Sequence, residues 1–406
     1  MIGYTSPAIP SLMNQNGTDL YGNSFWVNDQ QVSWITGIMS IGCLLGCLIA
    51  GPISEKIGRK SALLYCTATS FFLGYLLIFL ANHVALIYIG RTICGMGMGF
   101  ELTVASVYNV EIATTDMRGT LGVLVTLMQS VGLLVTFLVG SFLNWYWLAL
   151  SNFISVAFFV LALVFIPESP RWLLMKGKEL SAIKSLSWLR ATDEVTAELE
   201  KMKKDVTEKL KERKGLLELR TAVKPFLLCL GLNCFIQLSG WMILLYYTKS
   251  IFEMLGLSID PNYVQNIIGI TALIACFVGL ALVSRVNRRI MTVGSMLAMA
   301  ISHIILAVCF HLQPRDESSK GGPSNQSEIG YNTLSSSREY EGQEWIPIMS
   351  VILFVFMGAA GCGTLLWVIT SKIKIYPYVI QLLTMYFLSL QLNCYLQKYE
   401  ATQSVS

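Results

Sequence analysis

Two amides, Gln129 and Gln237, and one acid, Glu101, sit inside stretches of sequence that are otherwise almost free of charge. An amide both donates and accepts hydrogen bonds, so in hydrocarbon it needs a polar partner or a wet cavity. A ligand rich in hydroxyls and apolar C–H faces is bound by such amides together with aromatic rings. A sugar has that chemistry. Glu101 has two readings: a proton-coupling or cavity acid, or a carboxyl kept neutral or satisfied near a membrane boundary. Other chemistry has little to stand on. The ten cysteines fall inside apolar runs without a CxxC spacing, and the histidines are His83, His303 and His311 alone. The sequence therefore implies no metal site, no cofactor, no nucleophile elbow and no phosphate loop, and it does not read as an enzyme.

The elements that must carry these residues are membrane helices. Of 406 residues, 54% are hydrophobic and only 13% charged, with a mean hydropathy of +0.58, far from a soluble domain with about a quarter of its residues charged. A helix needs about 20 apolar residues to cross a bilayer. Ten nearly uncharged runs have that length: 34–53, 63–81, 85–108, 120–143, 145–166, 225–248, 264–284, 290–312, 346–371 and 376–396. A shorter run, 1–13, reads as the end of a further helix. The lipid bilayer is thus the expected partner, and nothing in the charge pattern suggests nucleic acid.

Charge on the loops sets an orientation. Alternate loops hold 23 Lys and Arg on one side and 4 on the other, and 9 against 4 when the long central segment is left out. The positive-inside rule places the basic loops in the cytoplasm. Two glycosylation sequons, at Asn16 and Asn325, fall on the opposite, exterior side. Segment 167–224 is dense in Lys and Glu, with leucines at helical spacing. It divides the chain into a first membrane half, 1–166, a cytoplasmic helical linker, 167–224, and a second membrane half, 225–406. The charged turn GPISEKIGRK, 51–60, returns in degraded form as SRVNRR, 284–289. Such a repeat fits two parallel halves around a central path.

These motifs resemble those of the sugar porters of the major facilitator superfamily, and among them the insect facilitated trehalose transporters. The resemblance rests on GPISEKIGRK, GRTICGMGMGF, YNVEIATTDMRG, PESPRWL and QLSGWMILLYY, in family order over most of the chain. It implies an all-α membrane protein that carries trehalose or a hexose such as glucose by alternating access. It also implies a cytoplasmic latch made by Glu55, Arg59, Glu111, Arg118, Glu168 and Arg171, with Arg288 as its second-half counterpart. Gln129 and Gln237 would line the sugar cavity, Trp367 its aromatic floor, and Tyr246 and Tyr247 the outer gate. The sequence departs from the pattern at Ile236, Met242, Ala272 and Ala359, where family members place polar contacts, and at Leu366, Ser284 and Lys372. After SKIKIYP the resemblance lapses. The expected architecture is therefore about ten full transmembrane helices plus a partial first one, incomplete at both ends. Facilitative transport is the leading function. The alternative is a non-transporting, sugar-porter-like membrane protein.

Overall fold

The computed structural model describes residues 2–114, 117–212, 227, 231, 235, 238–254, 259–283, 285–312 and 345–364. Among them the fold is helical, with a single isolated bridge, Thr18 to Ser24, in the loop after the first helix. The helices are α1 (Thr5–Met13), α2 (Asp29–Ile57), α3 (Arg59–Ala62), α4 (Ala68–Phe79), α5 (Val84–Ile112), α6 (Arg118–Gly140) and α7 (Trp145–Phe165). Three short charged helices follow: α8 (Pro170–Met175), α9 (Glu179–Arg190) and α10 (Thr196–Glu212). The last four are α11 (Trp241–Met254), α12 (Pro261–Leu282), α13 (Arg288–Leu312) and α14 (Trp345–Met357). Seven helical stretches among the described residues are long and apolar enough to cross a membrane. Helices are the expected outcome, because a backbone in hydrocarbon must satisfy its own N–H and C=O groups.

Local signals fix where α2 begins and ends. Asn28 opens it with a capping box: its side chain accepts from Gln31 N–H at 2.8 Å, and its own N–H donates to the Gln31 side chain at 3.1 Å. The apolar run closes at residue 53, but the helix runs on through Pro52 to Ile57. Proline removes one N–H from the ladder without ending a helix held by neighbours. The turn comes at Gly58, whose φ of 108° no β-carbon-bearing residue adopts easily.

Packing explains which helices pair. Between lipid-embedded helices close approach matters more than apolar area, since lipid is as apolar as leucine. Gly42 and Gly46 of α2 lie against backbone of Thr92 and Met96 on α5, while Gly95 and Gly99 of α5 lie against backbone of Met39 and Cys43 on α2. A β-carbon at any of the four would run into a carbonyl oxygen. One core joins α1, α2, α4, α5 and α7 around Tyr4, Phe71, Tyr75 and Trp145. A second joins Leu133 and Phe137 of α6 to α11, α12, α13 and α14. Leu124, Met128, Val131, Val135, Leu138 and Phe142 are exposed at spacings of three and four, an apolar stripe suited to lipid.

The charged turns gather at one end of this bundle, here termed the charged end. A small satellite core of Trp172, Leu173, Ala182, Leu186, Val195 and Leu199 ties α8, α9 and α10 together there. Arg190 fastens α9 to the bundle by donating to the Ile112 carbonyl at 3.1 Å.

Candidate functional site

At the charged end three turns converge on two carboxylates. Arg59 grips Glu111 with both edges of its guanidinium, Nε to Oε2 and Nη2 to Oε1, each at 3.0 Å. Its third contact is Nη1 to the Ser54 carbonyl at 3.0 Å. Ser169 donates to Glu111 at 2.6 Å. Glu168 accepts instead from backbone: Arg59 N–H at 2.9 Å, Lys60 N–H at 3.0 Å and Ser169 N–H at 2.9 Å. Its carboxylate thus sits on the N-terminus of α3, where free N–H groups and the helix dipole favour an anion. Gly58 is required there, because a β-carbon would collide with the Glu168 carboxylate. The Glu55 carbonyl accepts from Trp172 Nε1 at 3.0 Å.

Of the charged residues expected there, Glu55, Arg59, Glu111 and Glu168 are brought together. Arg171 lies on α8, half-buried, with no ion-pair partner among the described residues. The side chains of Arg118 and Arg288 fall outside the described residues.

At the opposite end the two helix groups are closed on each other. Helices α6 and α12 run antiparallel in contact: Ser141 and Asn266 share hydrogen bonds at 3.1 and 3.4 Å. Gly269 packs on Leu134 and Phe137, and Ser130 and Cys276 lie 3.1 Å apart. Ser6 of α1 donates to Gln265 Oε1 at 3.2 Å and accepts from Lys249 N–H at 3.3 Å. Every hydrogen bond between α6 and α12 among the described residues lies between Thr126 and Ser141 on α6. Gln129 and Gly132 lie within that interval but off the seam: both are exposed, and a β-carbon on Gly132 would meet nothing within 4 Å.

Gln129 is thus an exposed amide on α6. Tyr246 is fully buried on α11, and Tyr247 packs against the first core. Glu101 lies on an accessible face of α5 without a hydrogen-bond partner. It stands ten residues from Arg91, about 15 Å along the helix. Gln237, Trp367 and Asn325 fall outside the described residues. Asn16 is exposed in the loop between α1 and α2. That loop turns on Asp19, which accepts from Tyr21 N–H at 2.9 Å, Asn23 N–H at 2.8 Å and the Asn23 side chain at 3.1 Å. Burial opposes ionisation of Asp19, but these donors outweigh it and hold the carboxyl below its usual range.

Two residues carry more than their sequence context suggests. Gln265 is wholly buried between α1 and α12, and its Nε2 has no partner. A glutamine one residue before Asn266 in an apolar run was the available signal. Arg91 is also wholly buried and has no acid among the described residues to pair with. It donates to Thr5 Oγ1 at 2.7 Å and Ile35 O at 3.2 Å, and lies 5.5 Å from the Tyr4 ring centre. A hydroxyl, a carbonyl and a π face thus take the place of a counter-ion.

Two packed helix groups that meet along α6 and α12, with charged turns gathered at one end, define a multi-pass helical membrane protein. The chain belongs to the Sugar (and other) transporter family, whose model matches residues 2–375. It is 34% identical over 375 residues to the facilitated trehalose transporter Tret1 of Culex quinquefasciatus, covering 91% of this chain and 67% of that protein. It is likewise 34% identical to Tret1 of Anopheles gambiae, of which it spans 44%. Its fold is that of the xylose transporter XylE from E. coli. The partially occluded inward open form aligns with TM-score 0.73 at 19% identity, over 96% of this chain and 86% of that one.

Proposed function

We propose that the chain is a facilitative carrier that exposes a sugar site, for trehalose or a hexose, alternately to the two sides of a bilayer, with its charged end cytoplasmic. The observation that carries the reading is the asymmetry of the α6–α12 contact. Its hydrogen bonds run from Thr126 to Ser141, and among the described residues none is made from 120 to 125, the part of α6 nearest the charged end, as expected of one of two states that each seal one side. The relatives' printed activity, facilitated trehalose transport, supports the substrate class. In this reading residues 1–166 and 225–406 are the moving halves and 167–224 is a cytoplasmic linker. Gln129 and Gln237 hold sugar hydroxyls, Trp367 forms the floor, and Tyr246 and Tyr247 close the outer side. Glu55, Arg59, Glu111, Arg118, Glu168, Arg171 and Arg288 form the cytoplasmic gate. Glu101 is the candidate coupling or cavity acid, and Asn16 and Asn325 are glycan acceptors. No bond in the sugar is made or broken.

Uptake of labelled trehalose and glucose into liposomes holding the purified chain, with and without a pH gradient, tests this. Saturable entry of either sugar, indifferent to the gradient, is expected. Entry that is absent or linear with concentration for both sugars would overturn it.

A further inference from the structure

The backbone turns at Ser239–Gly240, just before α11 in the second group. Ser239 N–H still donates to Phe235 O at 3.0 Å, Gly240 turns with φ of 75°, and the ladder resumes with Leu244 N–H to Gly240 O at 3.0 Å. The Ser239 carbonyl is met from another helix: Nε2 of His303, on α13, lies 2.6 Å from that oxygen. A carbonyl can only accept, so Nε2 carries the proton and the imidazole donates.

The ring is braced in that pose. The centroids of His303 and Phe354 are 4.4 Å apart, and Trp241, the first residue after the turn, stands 5.9 Å from Phe354. Trp241 also lies over Gly358, where a β-carbon would run into its ring and where a π-helical turn, Gly358–Gly363, begins. Two irregular segments, one in α11's approach and one after α14, are therefore in contact through Trp241. Irregular backbone at membrane depth survives only where neighbours satisfy its freed groups. Here the satisfying group belongs to α13, so the bend cannot change without breaking a bond to a third helix.

We infer that His303 is a positioning residue. Its donated hydrogen bond fixes the bend at Ser239–Gly240, and with it the course of α11 that bears Tyr246 and Tyr247. The transport consequence rests on the carrier reading; the clamp itself does not.

Two variants of the full chain separate donor from ring. His303→Phe keeps an aromatic ring against Phe354 and loses the donor, whereas His303→Gln keeps a donor and loses the ring. Hydrogen–deuterium exchange of peptides covering 238–246 is read beside uptake kinetics. In His303→Phe exchange there should rise about three- to tenfold, the scale of one hydrogen bond, with maximal uptake per molecule falling by a similar factor at unchanged KM. His303→Gln should lie within about twofold of the parent in both. Exchange in His303→Phe equal to the parent's, or His303→Gln no better than His303→Phe, overturns the clamp. Exchange that responds while uptake does not overturns the role in transport. If the parent itself moves no sugar, the carrier reading fails, and exchange alone still decides the clamp.

Discussion

Arg59 and Glu111 meet fork to fork across 52 residues of sequence, both contacts at 3.0 Å, with side chains only 4% and 9% accessible. A bidentate pair so little exposed has exchanged its hydration for this geometry. Its value lies in being complete.

Glu111→Gln should therefore destabilise strongly, because it leaves a buried guanidinium without its anion. The expected loss is about 3–5 kcal/mol, and the paired replacement Arg59→Met with Glu111→Leu should return much of it. Thermal midpoints of the detergent-purified chain decide this. A single variant as stable as the parent would show that water or another acid already compensates Arg59.

Gln129→Ala should behave in the opposite way. The amide is exposed and touches nothing that the fold depends on, so the thermal midpoint should hold. Apparent sugar affinity should fall by about 1–3 kcal/mol, because sugar hydroxyls lose their partner. Unchanged KM for every sugar that the parent transports removes Gln129 from the site.

Glycine is needed at some positions and merely present at others. Gly46→Ala would drive a methyl into the Met96 carbonyl, and overpacking of that kind costs about 1–3 kcal/mol or more. Gly132→Ala meets open space and should leave stability alone. Expression and monodispersity of the two variants, side by side, check the contrast; equal behaviour would refute the close α2–α5 contact.

Arg190 holds Glu198 through Nε at 3.0 Å and Nη2 at 2.8 Å, and this bond lowers the Glu198 carboxyl below its usual range. A depressed acid stabilises the fold above its unfolded pKa, about 4.3, and that contribution disappears as pH falls through the folded value. Because both groups are partly exposed, the effect should be small, about 0.5–1 kcal/mol. Thermal melts should separate Glu198→Gln from the parent at neutral pH and merge the two curves in strong acid. A gap that persists in acid would mean that packing, not charge, is lost.

Helix existence and the charged turns were legible because both are written in residue type. Long uncharged runs have one stable answer in a bilayer, and Glu111, Glu168 and Arg59 stand in recognisable motifs. What stayed hidden depends on direction. Gln265 and Asn266 are adjacent amides in the same run, yet one faces Ser6 of α1 and the other Ser141 of α6. His303 looks like one polar residue in a lipid-bound helix until the Ser239 carbonyl appears 2.6 Å away. The last turn of α2 was hidden for a related reason: the apolar run ends at 53, while the helix continues through charged residues to Ile57.

The glycine contacts between α2 and α5 have a mechanical consequence. With four positions where backbone rests on backbone, neither helix can slide along the other without lifting out of its notches, so the pair acts as one stiff lever. One end of that lever carries Arg59 and Glu111, and farther along it Arg91 holds Thr5 of α1. A rotation begun at the charged turns therefore arrives at Thr5 undiminished. Bending is left to segments where the backbone is already irregular: the π-helical turn Leu63–Thr67 before α4, Ser239–Gly240, and the π-helical turn Gly358–Gly363.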